Sequence, residues 1–517
     1  MAPDGQRPPA TFREVIDAHA GSQPRAPFLI APEPGLEIDY ATLRANCRAL
    51  SAMLAARGVA PGSTVSFMLE NGASAATIFL GAMYGGYVVS PINLHAQDAQ
   101  LEYTLAHSDT RIVFAAAMNR ERLETIRRKS GATFDICAVG ADGLELEAHR
   151  DALPVPARRG KGEGPPIDRD DPAMLMYTSG TTGRPKGALL SHANMLSAAR
   201  AVAQSLALTP ADRVLSSLPL YHINGQCIAT VAPLVSGGSI VMPHRFSVSQ
   251  WWPLVARHRP TWLNMVPTII AYLLNGPDVT AEQATACRNV RFGRSASAPL
   301  PPEQHRAFEE RFGFSVIEAM GLTECASVAF TNPLDKSARK YGSPGRPLCV
   351  EARVVDRAGQ RMEGDARGEI ELRGPNVMLG YFKSPQATKA ALRSDGWLAT
   401  GDIGYRDADG FFFVTGRLKE LIIKGGENIA PREIDEALLA HPAVLEAAAV
   451  GVPDAAYGQE ILACVVVKPG ATCTEEDLRA HCLRTLGRYK SPRYLRLVAQ
   501  LPKGPSGKVQ RLKLTEL

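Results

Sequence analysis

The sequence predicts an α/β protein in two unequal parts. A large N-terminal body has mainly parallel sheets covered by helices plus a β-rich lobe, and a small α+β domain follows. Three observations predict this. The chain has 517 residues, beyond the size at which one hydrophobic core stops growing. Up to about residue 330, strand-like runs alternate with helix-like runs, the pattern of parallel β-α-β units. After about residue 340 the texture changes to short β-like pieces between Gly-rich or acidic turns, and it changes again at Pro431.

In chain order, Tyr40 to Arg57 places Leu43, Cys47, Leu50 and Leu54 at helical spacing, one buried face. GSTVSFMLEN then reads as a strand, SAATIFLGAMYGG as a helix of small residues and YVVSPIN as a second strand. RIVFAAA, RVLSSLP, GSIVMP and TWLNMVP continue the strands. Arg158 to Asp171 is polar and rich in Pro and Gly, a surface connection. EARVVD, GEIELRG and GFFFVTG form the β-rich lobe. From Pro431, which suits a first helical turn, the order is helix (PREIDEALLAHP), strand (VLEAAAVGV), strand (ILACVVVKP), helix (TEEDLRAHCLRTL) and strand (RYLRLVA).

Composition excludes several function classes. Apolar residues at 45% and charged residues at 21% fit a folded globular protein rather than a disordered or fibrous one. The net charge of +5 is spread without a basic block, so nucleic acid is not implied. Nine cysteines without a CxxC pair signal neither a disulfide framework nor a zinc site. The N-terminus lacks the apolar stretch of a secretory signal, and there is no apolar run long enough to span a membrane. A reducing, cytoplasmic, soluble protein is expected.

The most informative stretch is Tyr177 to Gly187, YTSGTTGRPKG, preceded by the strand-like AMLM and followed by a helix with Met195, Ala199, Val202 and Leu206 on one face. Glycines at 180 and 183 let backbone N–H groups approach linked phosphates, Thr178, Ser179, Thr181 and Thr182 offer hydroxyls, and Lys186 adds a point charge. The spacing does not fit the Walker pattern GxxxxGK[ST], which removes the P-loop ATPase reading.

This stretch resembles the signature of the adenylate-forming superfamily of acyl-CoA synthetases, luciferases and peptide-synthetase adenylation domains. Further pieces agree in order: LPLYHINGQ (Leu218 to Gln226), RSASAPL (Arg294 to Leu300), EAMGLTE (Glu318 to Glu324), GEIELRGPNVMLGY (Gly368 to Tyr381), WLATGD (Trp397 to Asp402), GRLKELIIKGGENI (Gly416 to Ile429) and LPKGPSGKVQR (Leu501 to Arg511). Among these, RSxSA resembles oxalyl-CoA synthetases, and LPLYHINGQ also resembles ligases proposed for sulfoacetate and similar short anionic acids. The resemblance implies an N-terminal adenylate-forming domain over 1–417 and a mobile C-terminal domain over 418–517, with ATP and coenzyme A as co-substrates and Mg²⁺ as the metal.

The motifs also carry chemistry of their own. Thr323 and Glu324 pair a hydroxyl with a carboxylate, suited to phosphate oxygen and to hard Mg²⁺, and Glu324 is the magnesium candidate. Asp402 has one carboxylate for both ribose hydroxyls, and by resemblance Arg417 joins it. The resemblance also assigns Ser297, Ala298, Glu318, Ala319 and Met320 to the nucleotide; Met320 stands where relatives usually stack an aromatic ring on adenine. Lys508, in a flexible turn, maps to the family's catalytic lysine, whose ammonium group stabilises charge building on the attacking carboxylate and the α-phosphate. In relatives the C-terminal domain rotates about the position equivalent to Lys419. That hinge withdraws the lysine and brings forward the loop Lys424 to Asn428, whose Lys424, Gly425 and Gly426 would border the coenzyme A channel.

By resemblance the acyl pocket takes His222 and Asn224, the Trp262 to Thr268 segment with Val266, and residues around Arg294 and Ser295. His222 is also a gate for the carboxylate or the thiol. Relatives acting on fatty or aromatic acids often read SGAAPL or CGSAPL, whereas a cation and hydroxyls here indicate a short polar or anionic acid, sulfoacetate-like or oxalate-like. The alternative for Arg294 is a strand end facing solvent or a structural acid. Three alternative functions are weighed. One is a medium-chain, long-chain or aromatic acyl-CoA ligase. A peptide-synthetase adenylation domain is disfavoured because Leu218 to Gln226 lacks an acidic partner for an amino group. The third is a catalytically silent nucleotide-binding regulator, against which Lys508, Glu324 and Asp402 all stand. Expected partners are a small carboxylic acid, ATP and coenzyme A, with no nucleic acid and no integral membrane segment; a homodimer is left open.

Overall fold

The computed structural model describes residues 8–144, 166–178, 185–503 and 509–517. Four sheets organise them. The first has seven strands, in the order Gly380–Tyr381, Lys186–Ser191, Pro172–Thr178, Val88–Pro91, Thr64–Met68, Thr110–Ala115 and Asp135–Ala138. Pro172–Thr178 and the strands beyond it pair in parallel, while Lys186–Ser191 and Gly380–Tyr381 run antiparallel.

The second sheet has nine strands. A parallel centre of Val316–Met320, Phe292–Ser295, Trp262–Met265, Arg213–Leu215, Ser239–Val241 and Pro27–Ala31 is flanked by antiparallel edges, Leu36–Asp39 on one side and Phe330–Thr331 with Arg346–Pro347 on the other. The mainly parallel reading holds for the interior of both sheets, where crossover helices connect the strands. The helices Tyr40–Ala56 and Ala73–Gly85 contribute to one core with residues of both sheets, among them Phe67, Phe28, Trp262 and Phe292. Leu43, Cys47, Leu50 and Leu54 are buried, as their spacing predicts. All thirteen residues of Ala73–Gly85 are buried, which explains why the helix carries no charged side chain.

Two sequence-based expectations need correction. YTSGTTGRPKG does not lead straight into a helix: Lys186–Ser191 first pairs back antiparallel on Pro172–Thr178, with Thr178 opposite Lys186, and only then does the helix His192–Ser205 begin. KGALLS is largely buried and shows no alternation, so its strand character was not visible beside the helix that follows. RVLSSLP supplies only the short strand Arg213–Leu215. The Pro- and Gly-rich connection read from Arg158 lies outside the described residues up to residue 165.

The third sheet is antiparallel and includes Glu351–Val355, Gly368–Arg373, Leu398–Arg406 and Phe412–Arg417. The fourth begins at Ile422–Lys424, which forms a hairpin with Glu427–Ile429, and continues through Gly458–Val467 and Val444–Asp454, with Tyr494–Leu497 parallel on the other side. It has hydrophobic clusters of its own, built around Ile422, Ile434, Ile461 and Leu478 on one face and Val450, Leu462, Leu501 and Leu514 on the other. Arg432 ties this part to the body by donating to the Val414 and Gly342 carbonyls. Among the described residues, no helix is long and apolar enough to cross a membrane.

Candidate active site

Two groups of candidate residues lie where the parallel strands Pro172–Thr178, Phe292–Ser295 and Val316–Met320 end, as open α/β sheets place ligands, and antiparallel strands add Lys186, Tyr381, Asp402 and Arg417. The first is a row of charged and hydroxyl groups. Ser179, Gly180, Thr181, Thr182 and Gly183 lie outside the described residues, but the two ends of their loop are held in register by the Thr178 and Lys186 pairing, and the Thr178 hydroxyl donates to the Lys186 carbonyl at 3.4 Å. Lys186 Nζ stands 5.1 Å from the centroid of the Tyr381 ring. The Tyr381 hydroxyl in turn donates to Glu324 Oε1 at 2.8 Å. Burial and the Glu324 carboxylate push the Tyr381 phenol up, so it remains a donor at neutral pH.

The turn carrying Thr323 and Glu324 is set from both sides. Gly321 packs so closely that a Cβ there would lie 1.8 Å from the Ser327 carbonyl oxygen, which explains the glycine in GLTE. Asn376 donates to the Cys325 and Val328 carbonyls at 2.9 and 2.7 Å, and Met378 N–H bonds the Glu324 carbonyl. Asp402 is buried opposite Arg417 in the same antiparallel pair, with Arg417 Nε 2.9 Å from Oδ1. The charge of Asp402, with Glu420 and Glu324 contributing, holds the Arg417 guanidinium above its ordinary range. Met320, Thr323 and Glu324 are half-buried, Ser297 is half-buried with φ 74°, Ala298 is exposed and Ala319 is buried. The Glu318 side chain, 2% exposed, accepts from Leu300 N–H through Oε1 at 3.1 Å. Burial raises it to about 7 despite that bond. It ties the Ser297 to Leu300 loop to its strand.

The second group is buried. Arg294 is 1% exposed, and burial lowers its guanidinium to about 10, still protonated at neutral pH. Neither solvent nor an acid receives it: no carboxylate lies within ion-pair distance among the described residues, its Nη1 donates to Asn224 Oδ1 at 3.5 Å, and Nη2 has no hydrogen-bond partner there. Asn264, opposite Arg294 on the neighbouring strand, donates to the same Asn224 Oδ1 at 3.2 Å, and its own Oδ1 is buried without a partner. Asn224 Nδ2 then donates to Ser297 Oγ at 3.2 Å. Asn224 opens a π-helix, Asn224–Val231, an irregularity often found at functional sites. Strand alternation separates Ser295 from Arg294: Ser295 shares its face with Met265, which belongs to the outer cluster with Leu300 and Phe308. Val266 caps the helix Pro267–Leu274, and His222 is half-buried beside Tyr221, its N–H bonded to the Pro219 carbonyl.

Lys419 lies in the turn between Phe412–Arg417 and Ile422–Lys424, where Leu418 N–H bonds the Gly401 carbonyl. Lys424 is buried, and Gly425 and Gly426 make the hairpin turn. Lys508 lies outside the described residues. Sequence reasoning did not single out Tyr381, and it placed Asn264 in the pocket only as part of the Trp262 to Thr268 segment. Asn264 left a signal, a lone amide inside the apolar strand Trp262–Met265. Tyr381 ends a quoted motif but has no distinguishing chemistry until Glu324 is seen beside it.

The fold and this row of groups define a nucleotide-dependent ligase of the adenylate-forming type. The family model described as AMP-binding enzyme matches residues 16–382, and the AMP-binding enzyme C-terminal domain matches 433–508. The chain belongs to this family of AMP-binding enzymes and is an acyl-CoA synthetase of the adenylate-forming superfamily. It is 53% identical to a sulfoacetate–CoA ligase of Cupriavidus necator, over 98% of this chain and 97% of the relative. It is 35% identical to an oxalate–CoA ligase of Arabidopsis thaliana, over 90% of each. Among solved structures, ATP-bound MatB from Rhodopseudomonas palustris superposes with a TM-score of 0.88 at 33% identity, covering 98% of both chains.

Proposed function

We propose that this enzyme joins a short acid bearing a second negative group to coenzyme A in two steps. The carboxylate attacks the α-phosphorus of ATP to give an acyl-adenylate and pyrophosphate. The coenzyme A thiol, giving up its proton, then attacks the acyl carbon and AMP leaves. The observation that carries the choice of acid is Arg294: a buried guanidinium is costly without an anion, and its Nη2 has no hydrogen-bond partner among the described residues. A single amide group, that of Asn224, bridges this cation to Ser297 on the nucleotide side, which supports a short acid over a long one. The names of the sulfoacetate and oxalate ligases support the same reading.

In this reading the 179–183 loop and Lys186 cradle phosphates, Asp402 and Arg417 hold the ribose, and Ser297, Ala298 and the Glu318 to Met320 strand end border the adenine. Glu324, oriented by Tyr381, would hold Mg²⁺ with Thr323 beside it. A single carboxylate fits that ion, which usually takes its other ligands from phosphates and water, and no cluster of three acidic, His or Cys ligands exists among the described residues. Bound there, the metal would neutralise phosphate charge. Lys508 stabilises the adenylation transition state, His222 gates the pocket, and Lys419 is the hinge between domains 1–417 and 418–517. The enzyme works in the cytoplasm.

The test is a panel of acetate, oxalate, malonate, sulfoacetate, a medium-chain fatty acid and a cinnamate, scored by coenzyme A-dependent AMP release. The short dianions are expected to lead by at least about tenfold. A preference for the fatty acid or the cinnamate overturns the assignment.

A further inference from the structure

The Gly425–Gly426 turn is held by an unusual amount of machinery. Both glycines have positive φ, 55° and 86°, which is the geometry of a two-residue hairpin turn closing on the Lys424 and Glu427 pair. Lys424, the residue before it, points inward and is only 6% exposed. Its Nζ lies 2.6 Å from Glu460 Oε1, itself 3% exposed, and donates to the Tyr489 carbonyl at 2.9 Å. The same ammonium group sits 5.5 and 5.2 Å from the ring centroids of Tyr457 and Tyr489.

The backbone is pinned as well. The Tyr489 hydroxyl donates to the Lys424 carbonyl, and the Gly425 N–H donates to the Tyr457 carbonyl at 2.8 Å. These are the two polar ends of one peptide unit, so its plane is fixed from both sides. A Cβ on Gly425 would meet Tyr489 Oη at 3.0 Å and Tyr457 Cδ1 at 3.3 Å, so the clamp also closes around the turn sterically. A buried ion pair seldom adds stability over apolar residues of the same volume, whereas it does specify one geometry. Here that geometry belongs to the loop tip.

We propose that Lys424 is a positioning residue: paired with Glu460 and clamped by Tyr457 and Tyr489, it presets the Gly425–Gly426 turn as a rigid rim for the pantetheine arm and does not itself touch coenzyme A. The proposal rests on the ligase reading above, in which this loop borders the thiol channel. Preorganising the rim removes an ordering cost from the second half-reaction alone.

The two half-reactions are measured separately, as ATP–pyrophosphate exchange and as thioester formation from supplied acyl-adenylate. Lys424→Met is expected to keep exchange within about twofold while transfer falls by about tenfold or more. Lys424→Arg should recover most of the loss, because the charge pair survives. Tyr489→Phe, which buries no unpaired charge and so guards against misfolding, should slow transfer by about threefold. The loss in Lys424→Met should be the same with pantetheine as acceptor, since pantetheine lacks the nucleotide. A loss seen with coenzyme A and absent with pantetheine would show Lys424 binding the nucleotide phosphates and overturn the proposal; so would equal damage to both half-reactions, or unchanged transfer. Amide hydrogen exchange at Gly425 needs no substrate and should accelerate in Lys424→Met, whereas an unchanged rate overturns the clamp. A wild type that exchanges pyrophosphate yet makes no thioester overturns the ligase reading instead, and the Gly425 measurement still decides the clamp.

Discussion

Arg294 and Lys424 are both buried cations, 1% and 6% exposed, and they are solved in opposite ways. Lys424 has a carboxylate, a carbonyl and two aromatic faces from its own chain. Arg294 has one long bond to Asn224 and a partnerless Nη2. Desolvating a charge is expensive at either place, so the difference lies in what completes the shell. A shell completed by the protein fixes a shape. One left incomplete is, in the function proposed above, the place where a substrate anion would complete it.

The largest expected effect breaks the open shell. Arg294→Met should erase the preference for a dianionic short acid over its monoanionic analogue by about 2 to 5 kcal/mol in kcat/KM, with little change in KM for ATP. An equal loss for every acid would instead make Arg294 a support of the fold. Glu318 sharpens the contrast from the acidic side. Its folded-state value of about 7 is raised by burial above the ordinary 4.5, so the folded protein holds that proton more tightly than the unfolded chain. Its effect is absent below about pH 4.5, and stability is lost as pH rises towards 7, by at most about 3 kcal/mol. Glu318→Gln, which keeps an oxygen for Leu300 N–H, should flatten that stretch of the Tm-against-pH curve; an unaltered slope would remove the assignment.

Lys508→Ala tests a third cation, the one proposed to stabilise the adenylation transition state. Adenylate formation should fall at least about a hundredfold, the scale of one lost oxyanion donor, while transfer from supplied adenylate persists. Equal damage to both would contradict the two-state domain arrangement. The smallest effect is expected for Lys419→Pro, which fixes φ near −65° at the turn after Arg417 and should slow transfer about tenfold with exchange retained. Full transfer in that variant would remove the hinge.

Legibility followed the range of the interactions. The helix Tyr40–Ala56 and the strands of the hairpin Val444–Asp454 with Gly458–Val467 were visible because local periodicity mirrors burial. Pro27–Ala31 was not, since it joins its sheet beside Ser239–Val241, a pairing that no local pattern announces. In the site, the charged row was legible as ordered motifs. Tyr381 beside Glu324 was not, because 57 residues separate them in the chain. Arg294 and Ser295 looked like equal members of one pocket, and strand alternation sends them to opposite faces. Lys424 looked like a channel residue until its burial against Glu460 was seen.

The π-helix that begins at Asn224 carries a consequence for how such pockets diverge. Its bonds span five residues, as in Ala232 N–H to the Cys227 carbonyl, so it accommodates extra chain that an ordinary helical turn would not. Deleting one residue between Cys227 and Val231 would let that turn relax to the α form, and because the wide turn is what absorbs the extra residue, the register on either side, Asn224 included, would be kept. What would change is the width of the backbone turn behind the amide that links Arg294 to Ser297. A chain one residue shorter here can therefore keep the same amide while reshaping the wall behind it.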